Sequence, residues 1–228
     1  MPSAVLLFRG LGHVTPDHES GAAHLIGYVD SHTDSGLTFN RLEQPQSPPE
    51  LIQYVDTEYG RNRTTGRADE GQVIFLNGDL VSYSMRAQTI VTQNVYEAEI
   101  VALSDGARQL SKIRNYIDGC GFPLGPTVVY EDNTSVLRYA RDIGLARPSR
   151  SLNQHFHYGR EKQQTGIIDV QPVESEDNIA DFFTKPHSKT KFQIAALRLG
   201  IKSVSECKNE ASSPHPVEEI IDSAEMKA

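Results

Sequence analysis

In the stretch GQVIFLNGDLVSYSM, two apolar runs of strand length are separated by Asn77-Gly78. A two-residue turn between antiparallel strands needs left-handed backbone at its centre, and Asn-Gly adopts that backbone with little strain. The stretch therefore predicts a hairpin. The run LIQYVDTEYG, beginning at Leu51, adds a third strand ahead of it. Then the period changes. Tyr96, Ile100, Leu103, Ala107, Leu110 and Ile117 recur at helical spacing, and Gly119 and Gly121 close the segment. Beyond it, TVVYED reads as a strand, TSVLRYARD as a helix, SLNQHFHYGREKQQ as another helix, GIIDVQPV as a strand and DNIADFFTK as a short helix. Strands joined by tight turns pair antiparallel, and strands joined through helices run parallel. The pattern predicts an α/β fold, a mixed five-stranded sheet with helices on both faces.

The flanks have a different character. The region before residue 43 ends in a strand-like stretch at Gly36-Leu37-Thr38-Phe39, and QPQSPPE, residues 44–50, is a Pro-rich linker. From residue 202 the chain is rich in Ser, Pro and Glu with little periodicity, so 202–228 reads as a flexible acidic tail with a short helix near 217–226. No apolar run is long enough to span a bilayer, and MPSAVLLFRG has no basic leader, so the expectation is no membrane association and no secretion. Cys120 and Cys207 belong to no metal motif and fit a reducing compartment. The net charge of −8 argues against a nucleic-acid partner. That argument weakens if several of the acids hold divalent ions, which reverse the local sign.

Parallel strands joined by crossovers share one carboxyl edge, where ligand sites gather. Asp56 and Asp132 both follow apolar strand runs that end at that edge. Two carboxylates brought together in a half-buried place repel at a cost of several kcal/mol, which a divalent cation removes. Hard oxygen ligands suit Mg²⁺ or Mn²⁺. Helical spacing separates two further acids. Asn94 with Glu97 has the form of a capping box, which gives Glu97 a structural task. Glu99 lies on the apolar stripe with Tyr96 and Leu103, where an unpaired acid is expensive, so Glu99 is the candidate for chemistry. Asp181 gains no such status from periodicity. Each acid also has an ordinary reading: turn or cap residues for the aspartates, and an ion pair with Arg108 for Glu99.

The pieces YVDTEYG, VIFLNGDLVSYS, YEAEIVALSDG, VVYEDNTSVL, HYGREK and NIADFFTKP, in this order and spacing, resemble the C-terminal part of a copia-type retrotransposon Pol polyprotein. That region is the end of reverse transcriptase followed by its ribonuclease H domain. The resemblance runs from about residue 22 to 201, and ADFFTKP is its most specific piece. It divides the chain into a remnant of the reverse transcriptase connector (1–43), the linker (44–50), a ribonuclease H-like domain (51–201) and the tail (202–228). It implies four metal-binding catalytic acids, Asp56, Glu99, Asp132 and Asp181, and two Mg²⁺ or Mn²⁺ ions. The implied activity is endonucleolytic hydrolysis of the RNA strand of an RNA–DNA hybrid. Two ions about 3.5–4 Å apart would flank the scissile phosphate. Gln93, Asn94 and Asn133 are candidates to read the 2′-hydroxyl, and Arg61 and Arg63 to touch phosphates, although capping and solvated loop charge explain these residues equally well.

The resemblance further implies the polymerase part of the same element as a partner, and a cytoplasmic virus-like particle or the nucleus as the location. Departures from the family pattern are Tyr59 and Tyr83 at tryptophan positions, Thr92-Gln93-Asn94-Val95 before the long helix, and Ser149 to Asn153 before REK. His155 and His157, on a predicted helix, are expected in surface or packing roles. GYVDSHTD resembles a polymerase palm loop but lacks its second adjacent Asp, so no polymerase activity is expected. The alternative is an inactive, truncated relic or a non-catalytic interaction module on the same fold.

Overall fold

The computed structural model describes residues 15–40, 48–60, 65–141, 157–205 and 207. Its central sheet is built from β2 (Leu51–Glu58), β3 (Asp69–Leu76), β4 (Asp79–Ala87), β5 (Thr127–Glu131) and β6 (Ile168–Pro172). The strand order is β4-β3-β2-β5-β6. The first three strands form an antiparallel meander. β5 joins β2 in parallel, with Ile52 opposite Val128, and β6 joins β5 in parallel, with Thr127 opposite Ile168. At the β3–β4 turn, Asn77 has φ 51° and Gly78 φ 86°. Both central residues are left-handed, as the right-handed twist of the flanking strands requires.

Helix α2 (Val95–Gly119) follows β4, and α3 (Thr134–Ala140) and α4 (Tyr158–Gln164) lie between β5 and β6. After β6 come α5 (Asp181–Thr184) and α6 (Lys189–Arg198). Successive residues of β3 show how these layers sit. Ile74 packs in a core with Val55, Ile100, Leu103, Leu110, Val129 and Val170. Its neighbours Val73 and Phe75 pack in a second core with Leu80, Phe182, Phe183 and Leu199. Side chains alternate across a strand, so α2 covers one face of the sheet and the α5–α6 segment the other. Each Leu, Ile or Phe so buried stabilises the fold by about 1.5–3 kcal/mol. The result is the mixed five-stranded sheet, with helices on both faces, expected from the sequence.

Some elements differ from expectation or go beyond it. The helix predicted across DNIADFFTK is a single turn, α5, because Asn178 is engaged with β2 and Pro186 stops propagation. Helix α6 was not expected; Ser188 caps it by accepting the Lys191 N–H (3.4 Å), and Ala195 packs inward. Ahead of the linker, helix α1 (Pro16–Ser31) leads into β1 (Ser35–Leu37). β1 pairs antiparallel with β7 (Ile201–Ser203), and the Thr38 N–H donates to the Gly200 carbonyl (2.8 Å). Residues 151–156 of one predicted helix, and all of the helix predicted near 217–226, lie outside the described residues. Among the described residues no helix is long and apolar enough to cross a membrane.

Candidate active site

Asp56 sits near the end of β2, Asp132 one residue beyond β5, and Glu99 in the second turn of α2. Parallel pairing of β2 with β5 brings the two strand ends side by side. The start of α2 is fixed by its cap: the Asn94 side chain accepts the Glu97 N–H (2.9 Å), and the Glu97 carboxylate accepts the Gln93 N–H (3.0 Å). Glu97 is thereby occupied with capping, although its acceptor role is toward Gln93 rather than Asn94. This register aims Glu99 at the sheet edge. One carboxylate oxygen from each of Asp56, Glu99 and Asp132 lies within 4.8 Å of the other two.

The charges in this cluster are poorly compensated. Asp56 is 1% exposed and Glu99 4%. Burial pushes the Asp56 carboxyl up to about 7, against the opposing pull of Lys185 and of the Thr184 hydroxyl, which donates to Asp56 Oδ2. Burial, and then the adjacent Asp56 and Asp132 charges, hold Glu99 well above the ordinary glutamate range. Its Oε2 is buried without a hydrogen-bond partner. Arg108, the base that an ion-pairing role for Glu99 would use, is bonded to Asp105 instead. Asp132 is only partly buried and accepts the Ser175 hydroxyl (2.6 Å).

Asp181 stands outside the group of three but electrostatically faces it. It opens α5, a turn tied to β2 because Asn178 Nδ2 donates to the Val55 carbonyl (2.9 Å) while Asn178 Oδ1 accepts the Ala180 N–H (3.1 Å). Lys185 links the two acids: its Nζ is bonded to Asp181 Oδ1 and lies 3.6 Å from Asp56 Oδ1. Burial alone would depress that ammonium, yet Asp56 and Asp181 hold it above the usual lysine range. His187 stacks on Phe182, its Nε2 lying 3.0 Å from the Asp181 carbonyl oxygen and 3.7 Å from Asp181 Oδ2.

The remaining predicted residues are placed as follows. Gln93 and Asn94 are exposed at the N-terminus of α2. Asn133 caps α3, its side chain accepting the Ser135 and Val136 N–H groups. Arg61, Arg63 and His155 lie outside the described residues. His157 packs on Tyr139, with the Tyr139 hydroxyl bonded to its Nδ1.

Sequence reasoning missed three residues of the site. Lys185 and Thr184 approach Asp56 only through the tertiary placement of α5. Glu131 is the third: it is 0% exposed, accepts the Asn133 N–H (3.0 Å) with Oε1, and has no partner for Oε2. Burial and then the neighbouring Glu99 charge raise its pKa well above the usual range. A signal for it existed, because Glu131 shares the buried phase of β5 with Thr127 and Val129.

Oxygen donors, an orphaned buried carboxylate oxygen and mutually repelling acids fit a divalent cation. Asp56, Glu99 and Asp132 would hold it, with Asp181 beside Asp56.

No protein-family model matches the chain. The chain is similar to the retrovirus-related Pol polyprotein from transposon RE2 of Arabidopsis thaliana, with 23% identity over 191 residues, covering 83% of this chain and 13% of the polyprotein. It is similar also to the corresponding polyprotein from transposon TNT 1-94 of Nicotiana tabacum, with 20% identity over 195 residues, 86% of this chain and 14% of the polyprotein. Among solved structures it resembles the N-terminal RNase H domain of rv2228c from Mycobacterium tuberculosis, at 14% identity and a TM-score of 0.44, covering 65% of this chain and 96% of that one. The chain thus spans only about an eighth of the length of the curated relatives it matches, and across 83% of its own length it is homologous to the retrovirus-related Pol polyproteins of plant transposons.

Proposed function

We propose that this chain is a ribonuclease H-type hydrolase that cuts the RNA strand of RNA–DNA hybrids, as part of the copying machinery of a copia-type retrotransposon. The observation that carries the reading is the convergence of Asp56, Glu99 and Asp132, within 4.8 Å of one another, at the carboxyl edge of the sheet. Such a cluster is costly unless it holds cations. The homology to transposon Pol polyproteins supplies the biological setting.

In this reading Asp56 is the shared ligand. It groups with Glu99 and Asp132 and shares Lys185 with Asp181, so two Mg²⁺ or Mn²⁺ ions would share it. Bound there, the ions supply Lewis acidity at the phosphorus and an activated water. The chain's own part is positioning. The long helix holds Glu99 rigidly, Ser175 orients Asp132, and Thr184 fixes one oxygen of Asp56. Gln93, Asn94 and Asn133, grouped at the starts of α2 and α3, are the proposed contacts to the 2′-hydroxyls that distinguish RNA from DNA. Arg61 and Arg63 are proposed phosphate contacts. The polymerase part of the same polyprotein is the proposed partner, helping an acidic chain to hold its substrate. The proposed place of action is the cytoplasmic virus-like particle or the nucleus.

The test is cleavage of a labelled hybrid with Mg²⁺ by the wild-type chain and by Asp132→Asn. Removing one ligand of a charge-stabilising ion costs several kcal/mol, so the rate should fall by roughly 100-fold or more. The circular dichroism spectrum should not change. Equal cleavage by both proteins, or none by the wild type, would reject the reading.

A further inference from the structure

The two halves of the acidic cluster are not equivalent. The half containing Glu99 has no cation bonded to it, only the more distant pull of Lys185, and its Oε2 is unpartnered. The half containing Asp181 already holds one. Lys185 Nζ is bonded to Asp181 and lies 3.6 Å from Asp56 Oδ1. The second oxygen of Asp56 is taken by the Thr184 hydroxyl. Lys185 stands at the C-cap of α5, where the backbone turns extended (φ −117°, ψ 152°). Its side chain is 35% exposed, so a path to water is open to it.

We propose that Lys185 is a tethered counter-cation. It neutralises Asp56 and Asp181 in the metal-free protein, and a divalent ion entering between them must displace it. This rests on the metal-site reading above and adds an order of loading to it. The first ion enters the Glu99 half, where no ammonium is bonded to the carboxylates. The second exchanges with an ammonium on a flexible stem, so its affinity is set by Lys185 as well as by the carboxylates. The exchange needs no covalent step. The side chain swings outward, and Asp56 and Asp181 pass from one cation to another. Without Lys185 the carboxylates of Asp56 and Asp181 would have no bonded cation, His187 Nε2 lying 3.7 Å from Asp181 Oδ2, so the same residue protects the fold before loading.

The experiment is calorimetric titration of Mn²⁺ into the full chain, as wild type, Lys185→Gln and Lys185→Arg, with thermal melts of each in chelator. For wild type we expect a tighter and a weaker binding phase. In Lys185→Gln the weaker phase should tighten by roughly three- to tenfold, the scale of losing one partly exposed ion pair. The tighter phase should stay in place. Lys185→Arg, which keeps the charge, should titrate like wild type. In chelator, Lys185→Gln should melt below the other two, and Mn²⁺ should close that gap. A neutral variant that folds only with Mn²⁺ also supports the proposal. It is overturned if the second phase is unchanged or weaker in Lys185→Gln, if a single phase appears in both proteins, or if Mn²⁺ fails to restore a misfolded neutral variant. Absence of any Mn²⁺ binding by the wild type removes the metal-site reading itself and this inference with it. Mn²⁺ binding that is normal in wild type but indifferent to residue 185 removes the inference alone.

Discussion

Glu131 places a carboxyl where no solvent reaches it, next to Glu99 and one residue from Asp132. Its Oε1 has the Asn133 N–H, and its Oε2 has nothing. A buried acid with one unmet oxygen and acidic neighbours is a source of strain in the metal-free protein. Its folded-state pKa is raised above the unfolded value, so its cost is absent below about pH 4 and grows as pH rises toward the folded value. Glu131→Gln keeps the shape, keeps an oxygen for Asn133 and adds a donor. In chelator at pH 8 this variant should be more stable than wild type by roughly 1–3 kcal/mol, and the gap should narrow at pH 5, as read from urea unfolding. A variant less stable than wild type at pH 8 would contradict the account. The residue also shows where sequence reading loses resolution. Asp56, Asp132 and Glu99 stand out because each lies at an element end or on an apolar stripe. Glu131 is masked by Asp132, since two adjacent acids at the end of a strand read as one emergence into water.

At the scale of elements, the parts that were legible are those set by local chemistry. Asn77-Gly78 forces its turn, Asn94 caps α2, and the long apolar stripe makes α2 a helix whatever surrounds it. Helices α5 and α6 are of another kind. One is a single turn and the other follows Pro186, and both owe their place to packing on the sheet through Phe182, Phe183 and Leu199. The clearance needed for that packing is supplied by Gly71 of β3, which pairs with Asp56. A Cβ at Gly71 would lie 2.9 Å from the Ala180 carbonyl oxygen and 2.9 Å from Thr184 Cγ2. A backbone oxygen cannot swing aside, so Gly71→Ala must push α5 off the sheet. The expected loss is about 1–3 kcal/mol, typical of overpacking, and is measured as a lowered urea midpoint with unchanged slope. Because α5 carries Asp181 and Lys185, the displacement should also weaken the second Mn²⁺ phase. An unchanged midpoint would mean that α5 is held less closely than its contacts indicate.

For the whole molecule, a net charge of −8 and four buried acids with raised pKa values, Asp56, Glu70, Glu99 and Glu131, set a definite dependence on pH. Between the unfolded carboxylate range near pH 4 and the folded values, about 7 for Asp56, the native state holds more protons than the unfolded chain. The slope of unfolding free energy with pH follows protons bound unfolded minus protons bound native, so it is negative across that window. The metal-free protein should therefore be more stable at pH 5 than at pH 8, by a few kcal/mol. Most proteins stabilised by salt-bridged carboxylates show the opposite slope over acid pH. A divalent ion changes the sign of the local field and binds the ionised carboxylates in the native state alone, so excess Mg²⁺ should raise the melting temperature strongly at pH 8 and little at pH 5. Melting curves in chelator and in Mg²⁺ at both pH values test this directly. A metal-free protein whose stability is flat or rises from pH 5 to pH 8 would show that Asp56, Glu99 and Glu131 are not held as close and as dry as their burial requires, and the case for a cation between them would lose its physical basis.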